Sequence, residues 1–150
     1  MSIGEILKHI QTELKAPKDQ KNTFGGYKYR NLEGILENVK PLLAKYNAVL
    51  TITDDIITVA DRVYVKAIAT ITSVEDNSTI TVSAYAREQD SKKGMDDAQL
   101  TGACSSYARK YALNGLFCID DTKDADADEQ PKTPVRRSRR KIKVDESCPF

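Results

Sequence analysis

Between residues 48 and 88 apolar and polar side chains alternate at every second position, and this period constrains the fold more than any other feature. Val63, Val65, Ala67, Ala69 and Ile71 alternate with Tyr64, Lys66, Ile68, Thr70 and Thr72. Ile80, Val82, Ala84 and Ala86 alternate with Thr81, Ser83, Tyr85 and Arg87. Period two sends successive side chains to opposite faces of a strand, and Val, Ile, Thr and Tyr suit a half-buried pleated surface. Segments 48–59, 62–74 and 78–88 are separated by Asp61 with Arg62 and by Asp76-Asn77-Ser78, which is turn chemistry. The prediction is an antiparallel three-stranded meander. One face is covered; the other, carrying Tyr64, Lys66, Tyr85 and Arg87, stays wet.

Helical periods flank this block. Ile3, Ile6, Leu7, Ile10 and Leu14 make residues 2–15 an amphipathic helix, for packing or for subunit contact. Residues 16–30 form a polar loop or short extended piece. Asn31 then caps a second helix over 31–46, with Leu32, Ile35, Leu36, Val39, Leu42, Leu43 and Tyr46 as its stripe. Pro41 bends that helix or marks its last turns. Asp96 or Asp97 starts a third helix running to about Leu113, closed by a left-handed C-cap at Asn114-Gly115. Its acids lie first and Arg109-Lys110 near its end, as the helix dipole prefers. At 100° per residue, Leu100, Cys104, Tyr107, Ala108 and Tyr111 share a face, which assigns both tyrosines mainly to the core. Gln99, Ser106 and Lys110 line a second face; Gly102, Ser105 and Arg109 line a third. The fold class is α+β: N-terminal helices, a three-stranded antiparallel meander, and a long C-terminal helix packed on the sheet.

The charge distribution divides the chain. Residues 1–119 carry 15 Lys/Arg against 14 Asp/Glu, residues 120–129 one Lys against six acids, and residues 131–143 seven Lys/Arg with no acid. Large apolar residues are almost absent beyond Ile119 until Val144 and Phe150. Residues 1–119 therefore form the folded domain. Residues 120–150 form a disordered tail, acidic and then basic, that cannot bury enough apolar surface to offset its ordering entropy.

Several classes drop out. No stretch approaches the ~20 apolar residues of a membrane span, and Met1–Ile10 contains Glu5 and no apolar core of a signal peptide. Three scattered cysteines and one histidine make neither a disulfide framework nor a zinc site. A reducing cytoplasm, that of a bacterial host, is the natural compartment. No glycine-rich phosphate loop or nucleophile elbow is present, so no cofactor is predicted. The acidic pairs Asp54-Asp55, Asp96-Asp97 and Asp120-Asp121 could serve two-metal nuclease chemistry, but turns and caps account for each. His9 and the Ser and Cys residues have no activating partner, so no catalytic residue and no metal ligand is assigned.

What remains is an interleaving of cations and aromatics: Tyr27 to Arg30, Tyr64 with Lys66, Tyr85 with Arg87, Lys92-Lys93, and Tyr107 to Tyr111. Single-stranded nucleic acid asks for this combination, because phosphates need cations and unstacked bases need ring faces. The basic run Arg136 to Lys143 can neutralise phosphates without reading sequence.

Gly26-Tyr27-Lys28-Tyr29-Arg30-Asn31-Leu32 resembles a segment of the ERF family of phage recombination proteins. So does Lys93-Gly94-Met95-Asp96-Asp97-Ala98-Gln99-Leu100-Thr101-Gly102, continuing through Ser105 to Phe117. The resemblance covers about residues 3–124; beyond Asp124 no family pattern is recognised. It implies a single-strand annealing protein that coats ssDNA as rings or filaments and pairs complementary strands without ATP, on a β-β-β-α core. The last residues, Asp145-Glu146-Ser147-Cys148-Pro149-Phe150, are similar to the acidic tip of bacterial single-stranded-DNA-binding proteins. That similarity implies recruitment of host ssDNA-metabolism proteins through Pro149 and Phe150.

The predicted site is a groove between the meander and the Asp96–Leu113 helix. Lys92, Lys93, Arg109 and Lys110 hold phosphates, with Lys28, Arg30, Lys66 and Arg87 as further cations. Tyr29 and Tyr85 stack bases. Gln99, Thr101 and Ser106 donate hydrogen bonds to the nucleic-acid backbone. The predicted partners are ssDNA, the annealed duplex intermediate and further copies of the chain. The alternative is a protein that only protects ssDNA and recruits host factors through its tip.

Overall fold

Ser2 and Glu5 set the start of the first helix, α1 (Ile3–Glu13). The Ser2 hydroxyl accepts from the Glu5 N–H, and the Glu5 carboxylate accepts from the Ser2 N–H at 2.8 Å. This reciprocal cap satisfies two of the donors a helix start leaves unpaired. The computed structural model describes residues 1–24, 26 and 28–119. After α1 come a two-residue ladder, β1 (Gln20–Lys21) with β2 (Lys28–Tyr29), and α2 (Leu32–Lys45). The meander β3 (Ala48–Val59), β4 (Arg62–Ser73) and β5 (Thr79–Arg87) follows, and then α3 (Asp97–Phe117). Residues 120–150 lie outside the described set, and with them the predicted tail, the Asp120-Asp121 pair and the Pro149-Phe150 tip.

The sheet has the predicted order β3-β4-β5, antiparallel throughout. Ala60 makes the β3–β4 turn with a positive φ of 55°. At the β4–β5 turn Asn77 takes φ 58°, and the Asp76 carboxylate accepts from the Ser78 N–H at 3.0 Å. These are the conformations and side-chain bonds that turn residues supply. The register aligns Ile52 with Ala69 and Val82, Asp54 with Ala67 and Ala84, and Ile56 with Val65 and Ala86. These rows face the helices. Their alanines leave room for α3 to lie directly on β4 and β5. The approach is close enough that a Cβ at Gly115 would come within 3.3 Å of Val82 Cγ1. Tyr64, Lys66, Tyr85 and Arg87 fall on the opposite row, away from the helices, as the alternation predicts.

α1 and α2 pack beside α3 on the same face of the sheet and complete the core. Ile6, Ile10, Ile35, Val39, Leu113, Leu116 and Phe117 are buried together. Asn31 caps α2 by accepting from the Gly34 N–H at 2.9 Å, and Pro41 sits on its exposed side one turn from the end. His9 of α1 stacks on Tyr46 with ring centroids 5.1 Å apart.

α3 departs from its predicted end. The Asn114-Gly115 C-cap does not form. The helix continues through both residues to Phe117, and Cys118 takes the left-handed cap with φ 52°. Leu113, Leu116 and Phe117 are all buried. That packing outweighs the ~1 kcal/mol cost of a glycine in a helix interior. Arg109 and Lys110 consequently lie about two turns from the C-terminus, too far for the dipole to favour them, since that effect is confined to the last turn.

Candidate nucleic-acid interface

Tyr107 and Tyr111 are not core residues: they are 55% and 48% exposed. The reason is geometric. The contact stripe of α3 follows the row Leu100, Cys104, Ala108, Ala112 and Leu116, which drifts by 40° at each step of four. A single wheel averages this drift away and merges the tyrosines with the buried row. In three dimensions both rings are left on the outer flank of the helix.

That flank builds a cleft with the N-terminal hairpin. Ser106 and Lys110, one turn apart, face Tyr29 and Arg30 across it, with Asn22 and the α2 cap residue Asn31 at its border. The Lys110 ammonium lies 5.1 Å from the Tyr107 ring centroid, 5.7 Å from Tyr111 and 6.0 Å from Tyr29. These are cation–π distances to three rings. The Tyr107 and Tyr111 rings are tilted by 37° with centroids 6.3 Å apart, so neither covers the other's face. The Arg30 side chain is held by a hydrogen bond from Nε to the Ala16 carbonyl. The cleft encloses about 410 Å³, and among the described residues no Asp or Glu lines it.

Tyr107 also lines a second cleft of about 250 Å³, with Arg87, Gln89, Lys92 and Met95. No acid lines this one either. Arg87 belongs to the wet row of β5, and because β5 is an edge strand its side chain reaches this cleft at the sheet's rim. The two clefts share Tyr107 on the flank of α3, and among the described residues no Asp or Glu lines either of them; this pair of clefts is the trough. At one end are Tyr29, Arg30 and Lys110; at the other are Arg87 and Lys92.

The remaining predicted residues are placed elsewhere. Over most of its length α3 is packed directly onto the sheet, and clefts between the two open only at the rim, where Arg87 of β5 meets Leu100, Ala103, Cys104 and Tyr107 of α3. Lys66 and Tyr85 lie on the far face of the sheet, the ammonium 5.8 Å from the ring. Arg109 is turned to the opposite side of the helix. Its Nε and Nη2 bind the Asp54 carboxylate at 3.0–3.2 Å, and the Ser105 hydroxyl donates to the same carboxylate at 2.5 Å. Burial pushes the Asp54 carboxyl up, but Arg109 and Ser105 outweigh it and hold the group below its ordinary value. Thr101 donates to Glu88, and Gln99 completes the reciprocal cap with Asp96. Lys93 is exposed on the turn before α3, and Lys28 is exposed on β2. Lys28 pairs directly with Lys21 across the ladder.

The acidic pairs that raised a nuclease are dispersed. Asp54 faces the helices and Asp55 the wet side, while Asp96 accepts from the Gln99 N–H at 2.8 Å as the cap of α3. No cluster of three or more potential metal ligands occurs among the described residues. No helix among them is long and apolar enough to cross a membrane.

Compared with known proteins, the model of the ERF superfamily matches residues 3–147. The Essential recombination function protein of Salmonella phage P22 is 54% identical over 143 residues, covering 95% of this chain and 68% of that protein. The match runs well past Asp124, where the sequence reading recognised no family pattern, so most of the charged C-terminal segment is included in the likeness. No solved structure matches the chain.

Proposed function

Because the chain belongs to the ERF superfamily, we propose that it is a phage recombination protein that binds single-stranded DNA, assembles on it and anneals complementary strands. The observation that carries this reading is the acid-free trough on α3, where cations and half-exposed rings alternate. A strand whose phosphates follow Arg30, Lys110, Arg87 and Lys92 leaves most of its bases free for a complement. Pairing is then driven by duplex stacking, about 1.4 kcal/mol per step, and needs no nucleotide hydrolysis and no catalytic residue. The direct opposition of Lys21 and Lys28 supports a polyanionic ligand: like charges facing each other weaken a ladder, and phosphate between them removes the penalty.

In this reading residues 1–119 carry DNA binding and self-assembly in the cytoplasm of the bacterial host. One domain covers only a few nucleotides, and neighbouring copies in a ring or filament multiply weak contacts into avidity. The unpaired outer edges of β3 and β5 and the exposed face of α1 are the surfaces available for it.

The test is annealing of complementary labelled oligonucleotides across a salt series. The reading expects faster pairing with the protein than without it, and affinity that falls steeply with salt. Slower pairing with intact binding supports the alternative, a strand-protecting protein that recruits host repair factors through Pro149 and Phe150. The resemblance of the last six residues favours that alternative. Salt-insensitive behaviour and no binding would reject both.

A further inference from the structure

We infer that the cleft formed by Tyr29, Tyr107, Tyr111 and Lys110 is a nucleobase pocket, taking one unstacked base of the bound strand while its phosphate lies on the cations at the rim. This inference rests on the ssDNA reading above and specifies what that site holds. At about 410 Å³ the cleft is large enough for a small planar ligand, and what sets it apart from the other clefts is its lining of three tyrosine rings. Three large rings converge on it, two of them about half exposed with faces not covering each other. Exposed ring faces beside a cation are a surface on which an unpaired base stacks. The cleft's ionisable side chains other than tyrosine, Arg30 and Lys110, are both cationic. A ligand that is flat at one end and anionic at the other satisfies both features, and a nucleotide is that ligand.

The shape also accounts for a preference for single strands. In a duplex the bases are stacked and paired, and extracting one costs free energy. In a single strand the base is already available. A base held here cannot pair at the same time, so the complementary strand must withdraw it. The pocket therefore holds the unpaired strand and releases the paired one.

The test compares the full chain binding a short oligothymidylate and an abasic backbone of the same length, at several salt concentrations. The wild type is expected to prefer the base-bearing strand by about tenfold, the worth of roughly one stacked base. Tyr107→Leu with Tyr111→Leu keeps apolar bulk but removes the rings. It is expected to bring the two oligonucleotides within about twofold while salt-dependent binding persists. Circular dichroism confirms that the variant is folded; if it is not, quenching of 2-aminopurine in the strand bound to wild type, and its loss in Tyr29→Leu, gives the same decision. Equal binding of both oligonucleotides by the wild type, or an undiminished preference in the variant, overturns the pocket and leaves the ssDNA reading standing. Absence of salt-sensitive binding to either oligonucleotide overturns the reading beneath it, and the pocket with it.

Discussion

Replacing Asp54 by alanine separates two roles that sequence alone would give to Arg109. The carboxylate accepts from Arg109 at 3.0–3.2 Å and from Ser105 at 2.5 Å, tying β3 to the middle of α3. A hydrogen bond to a charged group contributes about 1.5–3 kcal/mol. The Arg109 side chain is 37% exposed and can turn to water when its partner is lost, so solvent screening reduces the net cost of Asp54→Ala to about 1–2 kcal/mol. For a domain of this size that is a fall in Tm of roughly 4–10 °C. The pH dependence has a definite sign. The folded carboxyl titrates below its unfolded value, so its contribution is complete above the ordinary carboxylate range and fades as pH falls through the folded value. The Tm gap between wild type and Asp54→Ala should be constant near neutrality and shrink in acid below about pH 4. Arg109→Gln should lower Tm similarly, and the double variant by less than the sum. Short-oligonucleotide affinity and its salt slope should stay at wild-type values in all three. A Tm unchanged by Asp54→Ala, a gap that persists undiminished in acid, or a flatter salt slope in Arg109→Gln would refute the assignment of Arg109 to the fold.

Lys110→Gln should weaken ssDNA binding uniformly across sequences and lower the salt slope by about one, measured by fluorescence anisotropy. Lys66→Ala with Tyr85→Ala, on the far face of the sheet, should leave binding of a short oligonucleotide within about twofold of wild type, because surface contacts outside the trough contribute little to it. Gly102 is exposed in the middle of α3 with nothing within 4 Å of an added Cβ, so Gly102→Ala should stabilise the domain by roughly 0.5–1 kcal/mol in urea unfolding. Asp96→Ala removes the cap of α3 and should cost about 1 kcal/mol in the same assay.

The meander was legible because its period of two runs uninterrupted and because Asp76 and Asn77 supply the side-chain bond and the positive φ of the β4–β5 turn, whereas at the β3–β4 turn it is Ala60 that takes the positive φ. The start of α2 was legible from Asn31, and α1 from the spacing of its apolar residues. The end of α3 was not: a glycine after asparagine is a strong local stop signal, and only the burial of Leu116 and Phe117 by α1 and α2, which are remote in sequence, overrides it. The site was half legible for a related reason. Residue type singled out Tyr29, Arg30, Ser106 and Lys110, which line one cleft, but a flat wheel cannot show a stripe that drifts around the helix, so Tyr107 and Tyr111 went to the core. Strand parity was sufficient to place Lys66 and Tyr85 on the face away from the helices. It carried no information on which side of the sheet the hairpin Gln20–Tyr29 would join α3.

The near-neutral count of residues 1–119 looks unfavourable for a polyanion ligand, and the structure shows why the count misleads. Six of the fourteen acids are taken up by architecture. Glu5 and Asp96 close helix caps, Asp76 closes a turn, Glu13 binds Lys45 and Tyr46, Asp54 binds Arg109, and Glu88 accepts from Thr101. Each such carboxylate sits beside donors that partly neutralise it, and none lines either cleft of the trough. Among the described residues, Lys110 and Lys92 line clefts that include no carboxylate, whereas Arg87 also lines a notch with Asp90. The relevant field at a surface is set by charges within a Debye length, about 8–10 Å at ordinary ionic strength, rather than by the total for the chain. A strand in the trough therefore meets a positive strip on a neutral body. Binding should then be weakened by a negative charge introduced at Ser106→Glu or Asn22→Asp on the trough wall, and left unchanged by Thr53→Glu or Thr81→Glu on the far face of the sheet.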